Sequence, residues 1–434
     1  MGSDNIDNGN GRWTTVWTAM PQVAWAEADH LPPERFLRFE RATLRQTVRM
    51  CSTSEAASED KRNTSEAKPS EETKTRRIRL RFTNTFGTSD LSISRATVGI
   101  PQRPGGDDND THAEDDTVHI SGSRFVDTTT LCNVLFSGQP SAVLPAGGLL
   151  LSDPIFLPAD TPDLSISLYF DKGLTTSPIT THPGSRTQSW LCLGDQTASP
   201  SLREGDALCS VLHWYFLAGV EEWTTSANSQ KTIILLGDSI TDGRCSTNNG
   251  NDRWPDLLGE RLQREKRPLV TLLNQAAGGN CLLREGTGGP ALLARFDRDV
   301  LSQPGVTGVL VCGGVNDIGT ATDNLSRVVH DLIATYETVL ERCTVAGLTT
   351  LFSTITPFDG PGQGYASPVR EAARQEVNAW IRSSQAGRVV DFDAILRDPD
   401  QHSQLLLKYN SGDHLHPNVD GFQAMADSFP LDLL

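Results

Sequence analysis

No apolar run in this 434-residue chain approaches the ~20 residues that a helix needs to cross a bilayer, so no membrane span is expected. The first residues, MGSDNIDNGNGRW, are polar and hold no apolar core of the kind a secretory leader carries. That points to the cytoplasm, or to a secreted protein if a leader has been removed. Basic residues are in deficit: 38 Lys and Arg stand against 54 Asp and Glu, a formal charge of −16. Nucleic acid and anionic membrane surfaces reward basic patches, so neither is an expected partner. Cysteine pairs at C-x-x-C spacing are missing. The eight cysteines, at positions 51, 132, 192, 209, 245, 281, 312 and 343, are scattered singly, which argues against a zinc knuckle and a thioredoxin-like site. Free thiols are expected in a reducing compartment, and one or two disulfides in a secreted form. There is no internal repeat. Three N-x-S/T sequons, starting at Asn63, Asn109 and Asn324, matter only in a secreted protein.

What is present is the composition of a soluble globular protein, 37% hydrophobic and 21% charged, in a chain long enough for two domains. The two halves differ in period. Over 12–223 the apolar residues come in short bursts: 78–82, 91–100, 142–151, 164–170 and 212–220. Pro, Gly, Asn and Asp punctuate them, which predicts an antiparallel sandwich or jelly roll. Two inserts interrupt it. Residues 53–76 have almost no apolar content, and 103–116 carry six acids. Neither can bury enough surface to offset its ordering entropy, so both are expected to be mobile surface loops. A polar stretch at 224–231 is the expected linker.

The half from 232 to 434 alternates strand and helix. Continuous apolar runs at 232–236, 269–273, 308–312, 350–355 and 388–392 predict parallel strands buried on both faces. Helical stripes lie between them at 254–265, 325–344 and 368–383, the first with Pro255 near its start. Such alternation implies a doubly wound α/β domain with its ligand site beyond the carboxyl ends of the strands.

Candidate chemistry falls where that rule places it. Gly237-Asp238-Ser239-Ile240-Thr241-Asp242-Gly243 follows the first of these strands and can lift a serine hydroxyl into a crevice. Gly279, after the second, lets backbone approach a ligand and aim an N–H at it. Asn316, after the third, carries an amide that could donate to a developing oxyanion. Alone, the serine segment reads equally well as a tight turn, and Gly279 and Asn316 read more readily as turn residues. Near the C-terminus, Asp413 stands three residues before His416, so the carboxylate can hold one ring nitrogen and leave the other to a serine. Asp413, His414 and His416 could instead bind a metal, but no further cysteine or acidic cluster accompanies them in the sequence, and no metal is expected. His414 is read as a solvated loop residue. The order Ser…Asp…His is shared with α/β-hydrolases, but their G-x-S-x-G elbow is missing.

Together Gly237-Asp238-Ser239, Gly279, Asn316 and Asp413-x-x-His416 resemble the four blocks of the SGNH/GDSL hydrolases, in the family's order. The stretches DRWPDLLGERL, LLARFDRDVLSQPGV, GGVNDIG and LHPNVDGFQAMAD, with TLRQTVRM and IRLRFTNTFG in the first half, are similar to a two-domain branch of that family with an N-terminal β-sandwich. The resemblance implies a three-layer α/β/α, flavodoxin-like catalytic domain and a serine esterase acting through an acyl-enzyme. Ser239 would be nucleophile, His416 base, and Asp413 its orienter. The oxyanion hole would be the Ser239 N–H, the Gly279 N–H and the Asn316 amide. A glycine, Gly278, stands where the family often has serine, which leaves Gly278 and Gly279 both open as the donor. No metal and no cofactor are implied, and the expected partner is a small-molecule or carbohydrate ester. Two other readings keep a place: an acyltransferase using the same serine in a biosynthetic pathway, and a non-catalytic carbohydrate-binding protein.

Overall fold

The computed structural model describes residues 11–434 apart from 26–28, 51–74, 104–119, 160, 176–177, 204–206, 226–229, 268, 287, 323 and 384–387. Most of both predicted inserts, the middle of the predicted linker and the sequons at Asn63 and Asn109 therefore lie outside the described residues.

The first half is an antiparallel sandwich. One sheet runs in the order Arg12–Thr18, Leu217–Thr224, Thr75–Thr83, with Leu149–Leu151 and Ile155–Pro158 both paired to Thr75–Thr83. The facing sheet runs Cys209–Val211, Ser189–Leu193, Ala42–Arg49, Asp163–Phe170, Arg95–Gly99, Cys132–Asn133. Alternate residues of the long strands, among them Val16, Leu44, Leu80, Phe82, Leu168 and Val220, meet in one buried core. The predicted bursts are largely these strands, with two divisions. The burst at 91–100 splits at Ser94: Leu91–Ile93 pairs with Ala142–Leu144, whereas Arg95–Gly99 pairs with Asp163–Phe170 in the larger sheet. The burst at 142–151 breaks at a turn where Gly147 takes φ +69° and Pro145 accepts from Gly148. The predicted insert at 53–76 also runs too far. Thr75 and Arg76 already pair with Pro158 and Leu157, and the buried Arg76 guanidinium is anchored by Glu222 at 2.7 Å.

The second half is a parallel sheet in the order Val270–Asn274, Lys231–Gly237, Gly308–Cys312, Thr349–Ser353, Arg388–Val390. In chain order that is 2-1-3-4-5, the doubly wound arrangement named flavodoxin-like, whose switch point lies between the first and third strands. Ile233, Ile234, Leu235 and Leu236 are all buried, because helices cover both faces. Each such side chain stabilises the fold by roughly 1.5–3 kcal/mol relative to an exposed one. The helix Trp254–Arg264 starts with Pro255 in its first turn, and Trp254 is buried against Phe392 and Phe429. Helices Leu325–Val345 and Pro368–Ser383 cover another part of the sheet. The sequon residue Asn324 caps the first of these, its side chain accepting the Arg327 N–H. No described helix is long and apolar enough to cross a membrane. Among the described residues, Cys132, Cys209, Cys245, Cys281, Cys312 and Cys343 form no disulfide.

The sandwich packs directly on the α/β half. Thr15 N–H donates to the Pro304 carbonyl at 2.9 Å, Thr18 Oγ1 to the Asn274 carbonyl at 3.2 Å, and Asn251 Nδ2 to Ser121 Oγ at 2.7 Å. Asn274 and Asn251 both belong to segments on the carboxyl side of the parallel sheet, so the sandwich borders the face where the candidate residues gather.

Candidate active site

The strand Lys231–Gly237 ends at Asp238, which caps the one-turn helix Ser239–Asp242 by accepting the Ile240 N–H at 3.0 Å. Ser239 is the first residue of that turn, so its own N–H has no partner within the helix. Asp238 is fully buried, and burial pushes its carboxyl up to about 7, helped by the nearby Asp317 and Asp242.

His416 comes from the loop before the helix Val419–Ser428 and is buried beside the serine. Ser239 Oγ donates to His416 Nε2 at 2.7 Å, and His416 Nδ1 donates to Asp413 Oδ2 at 2.6 Å. The carboxylate faces Nδ1, which fixes that nitrogen as the protonated one and leaves Nε2 as an acceptor for the hydroxyl. The other Asp413 oxygen accepts the backbone N–H groups of Leu415 and His416 at 2.9 and 2.8 Å. Partial burial alone would raise the Asp413 pKa. The hydrogen bonds from His416 and Leu415 outweigh it and hold the carboxyl well below its usual range. His414 points elsewhere. It is a half-buried loop residue at φ +60°, and Asn410 holds its ring at 2.9 Å.

The second and third blocks follow the strands on either side of Lys231–Gly237. Gly278 N–H donates to Asp242 Oδ2 at 2.9 Å. Gly279, at φ +74°, makes no such bond with its N–H among the described residues. Gly288 packs so closely against this turn that a Cβ there would lie 2.3 Å from Asn280 N, which fixes the turn from behind. Asn316 sits in the short helix Val315–Gly319 after the third strand. Its Nδ2 donates to the Asn280 carbonyl at 2.9 Å, and its Oδ1 accepts from Tyr365 Oη at 3.0 Å. Since an amide nitrogen carries two hydrogens, one remains for a ligand. Asp317 accepts the Leu282 and Leu283 N–H groups, each at 2.9 Å, tying the second block to the third.

Folding also brings in residues that the sequence did not single out. Asp317 and Asp242 stand inside quoted motifs and could have been suspected from their place there. Tyr365, from the loop before Pro368–Ser383, carries no sequence signal. Neither does Cys245. Sequence spacing puts no cysteine beside Asp413 and His416, yet one donor atom from each of Cys245, Asp413 and His416 lies within 4.8 Å of the others. These donor types suit a thiophilic cation. Both His416 nitrogens are already hydrogen-bonded, however, so an ion bound to that ring would displace Asp413 or Ser239. A separate cleft of about 450 Å³ lies between the sandwich and the helix Trp254–Arg264, lined by Trp17, Trp214, Arg253 and His182 but by none of the serine, aspartate or histidine just described.

A serine and a histidine in hydrogen-bond contact at the switch point of a 2-1-3-4-5 sheet place the second half of the chain among the hydrolases built on an open α/β sheet. Residues 235–424 match the GDSL-like lipase/acylhydrolase family. Solved structures similar to the chain include the psychrotrophic esterase EstA from Pseudoalteromonas sp., 21% identical over 46% of this chain and 94% of that one, with a TM-score of 0.34. Others are a lipase/acylhydrolase from Enterococcus faecalis (18% identity, 46% and 93% covered, TM-score 0.35) and a GDSL-like lipase from Bacteroides thetaiotaomicron (16% identity, 45% and 84% covered, TM-score 0.35). No curated protein sequence matches the chain.

Proposed function

We propose that the protein is a serine ester hydrolase working through an acyl-enzyme. The observation that carries this reading is the relay from Ser239 Oγ to His416 Nε2 at 2.7 Å and from His416 Nδ1 to Asp413 at 2.6 Å. Ser239 Oγ attacks the ester carbonyl while His416 Nε2 takes its proton. Asp413 keeps Nδ1 protonated and stabilises the imidazolium that forms. The carbonyl oxygen, now negative, faces the N–H groups of Ser239 and Gly279 and the free hydrogen of the Asn316 amide. Gly279 is preferred over Gly278 for this role because the Gly278 N–H is already given to Asp242. Collapse of the tetrahedral species expels the alcohol, protonated by His416. Water, deprotonated by the same ring, then releases the acid and frees the serine.

Ser239→Ala tests the reading. With p-nitrophenyl esters of rising chain length and acetylated sugars as substrates, the variant should show no turnover above background and no labelling by a fluorophosphonate. Its thermal unfolding should stay near wild type, because only one hydroxyl and its bond to His416 are lost. Undiminished labelling of the alanine variant would overturn the assignment.

A further inference from the structure

The sandwich supplies a side chain to the back of the catalytic loop. His182 lies in the strand Thr180–His182, is buried, and stacks on Trp214 with ring centroids 5.7 Å apart. Its Nδ1 donates to the Met20 carbonyl at 2.9 Å, which turns Nε2 away from the sandwich. That Nε2 lies 3.0 Å from Asp242 Oδ1, across the border between the two halves. With Nδ1–H given to Met20, Nε2 attracts this carboxylate only as the second N–H of an imidazolium, and Oδ1 makes no hydrogen bond elsewhere among the described residues. Asp242 is itself buried, three residues after Ser239 on the same helical turn. Its second oxygen holds the Gly278 N–H at 2.9 Å. Sandwich backbone presses on the same group: a Cβ on Gly184 would fall 1.9 Å from Asp242 Oδ2.

A buried carboxylate is costly unless its oxygens are matched by donors or charge. Here one oxygen faces the sandwich and the other faces the glycine turn. The turn needs such an anchor, because Gly278 and Gly279 have no side chains with which to hold their own orientation. Without it, the Gly279 N–H would sample directions away from the oxyanion.

We propose that His182 is a positioning residue for ester cleavage. Acting through Asp242, it fixes the Gly278–Gly279 turn and so aims the Gly279 N–H at the developing oxyanion. The sandwich thereby becomes a structural part of the hydrolytic site. This inference rests on the serine-esterase reading above.

The test uses the full chain and counts active sites by fluorophosphonate labelling, so that turnover is expressed per competent serine. His182→Phe keeps a ring against Trp214 and removes the nitrogen facing Asp242. It should lower kcat roughly 10- to 100-fold with KM little changed, since a misaimed donor weakens the transition state more than the ground state. Asp242→Ala should lose at least as much, and the double variant no more than Asp242→Ala alone, because the two residues act in series. Asp242→Asn should recover most of the loss, as its side-chain oxygen can still accept the Gly278 N–H and its amide nitrogen can face His182 Nε2. A merely structural histidine would lower the melting temperature and the number of labelled sites while leaving kcat per site at the wild-type value, and that result overturns the proposal. So does additivity of the two single losses. If His182→Phe does not fold, the contrast between Asp242→Ala and Asp242→Asn decides alone. Equal kcat in those two variants refutes the coupling. Retained activity in Ser239→Ala would instead bring down the esterase reading, whatever His182 does.

Discussion

Asn316 Nδ2 donates to the Asn280 carbonyl at 2.9 Å, so the amide assigned to the oxyanion also fastens the second catalytic block to the third. The same nitrogen keeps a second hydrogen for the proposed oxyanion contact. Asn316→Ala should lower kcat by roughly 10²–10³ with little change in KM, the usual cost of one oxyanion donor. Because Asn316 is buried, the melting temperature should fall as well, by the few degrees that about 1 kcal/mol represents. Steady-state kinetics and thermal unfolding on one preparation check both halves. Near-normal kcat would remove Asn316 from the site.

Tyr365 Oη donates to Asn316 Oδ1 at 3.0 Å, and its ring packs where a Cβ on Gly319 would collide with it. Tyr365→Phe keeps the packing and deletes the bond. Loss of a net hydrogen bond of about 0.5–1.5 kcal/mol should reduce kcat by roughly 2- to 10-fold, through a less firmly oriented amide. Tyr365→Phe added to Asn316→Ala should then cause no further loss, which a double-mutant cycle measures.

Asp413 is held below its normal range by its bonds to His416 and the backbone. A carboxylate with a depressed folded pKa contributes stability that is present above its unfolded value, near 4, and is lost as pH falls through the lower folded value. Melting temperature should therefore drop on acidification below about pH 4, and this part of the drop should vanish in Asp413→Asn. The same variant should lose roughly 10²–10⁴ in kcat, because a neutral amide can hold the wrong imidazole tautomer. Wild-type turnover in His416→Ala would show that the pair plays no part.

Asp238 behaves in the opposite sense. Burial raises its folded pKa to about 7, so the folded state holds a proton that the unfolded state has already released. Between about pH 4 and pH 7, stability should decline as pH rises, then level off. Asp238→Asn keeps a side-chain oxygen for the Ile240 N–H. It should flatten this slope and raise stability at pH 8 by about 1–4 kcal/mol. Chemical denaturation at pH 5 and pH 8 measures the difference. An unchanged pH slope in the variant would place the titration elsewhere.

Much of this molecule is written locally. The apolar runs at 232–236 and 308–312 are strands because such segments must be buried on both faces, and they fall within one residue of Lys231–Gly237 and on Gly308–Cys312. The stripe at 254–265, with Pro255 at its start, is likewise the helix Trp254–Arg264. Ser239, Asp413 and His416, which meet in hydrogen-bond contact, and the candidates Gly279 and Asn316 could be nominated from sequence because each follows the carboxyl end of a strand or shares one turn of chain. Tertiary structure decided what no local pattern encodes. It gives the Gly278 N–H to Asp242, which is the ground for proposing Gly279 as the donor. It set Tyr365 on Asn316, 49 positions apart in the chain, and Cys245 near His416. It also brought His182 to within 3.0 Å of Asp242 from the other half of the chain. Periodicity and motifs report how a segment meets the core. Which distant side chain satisfies a given buried oxygen depends on how the two cores dock, and only the assembled fold contains that information.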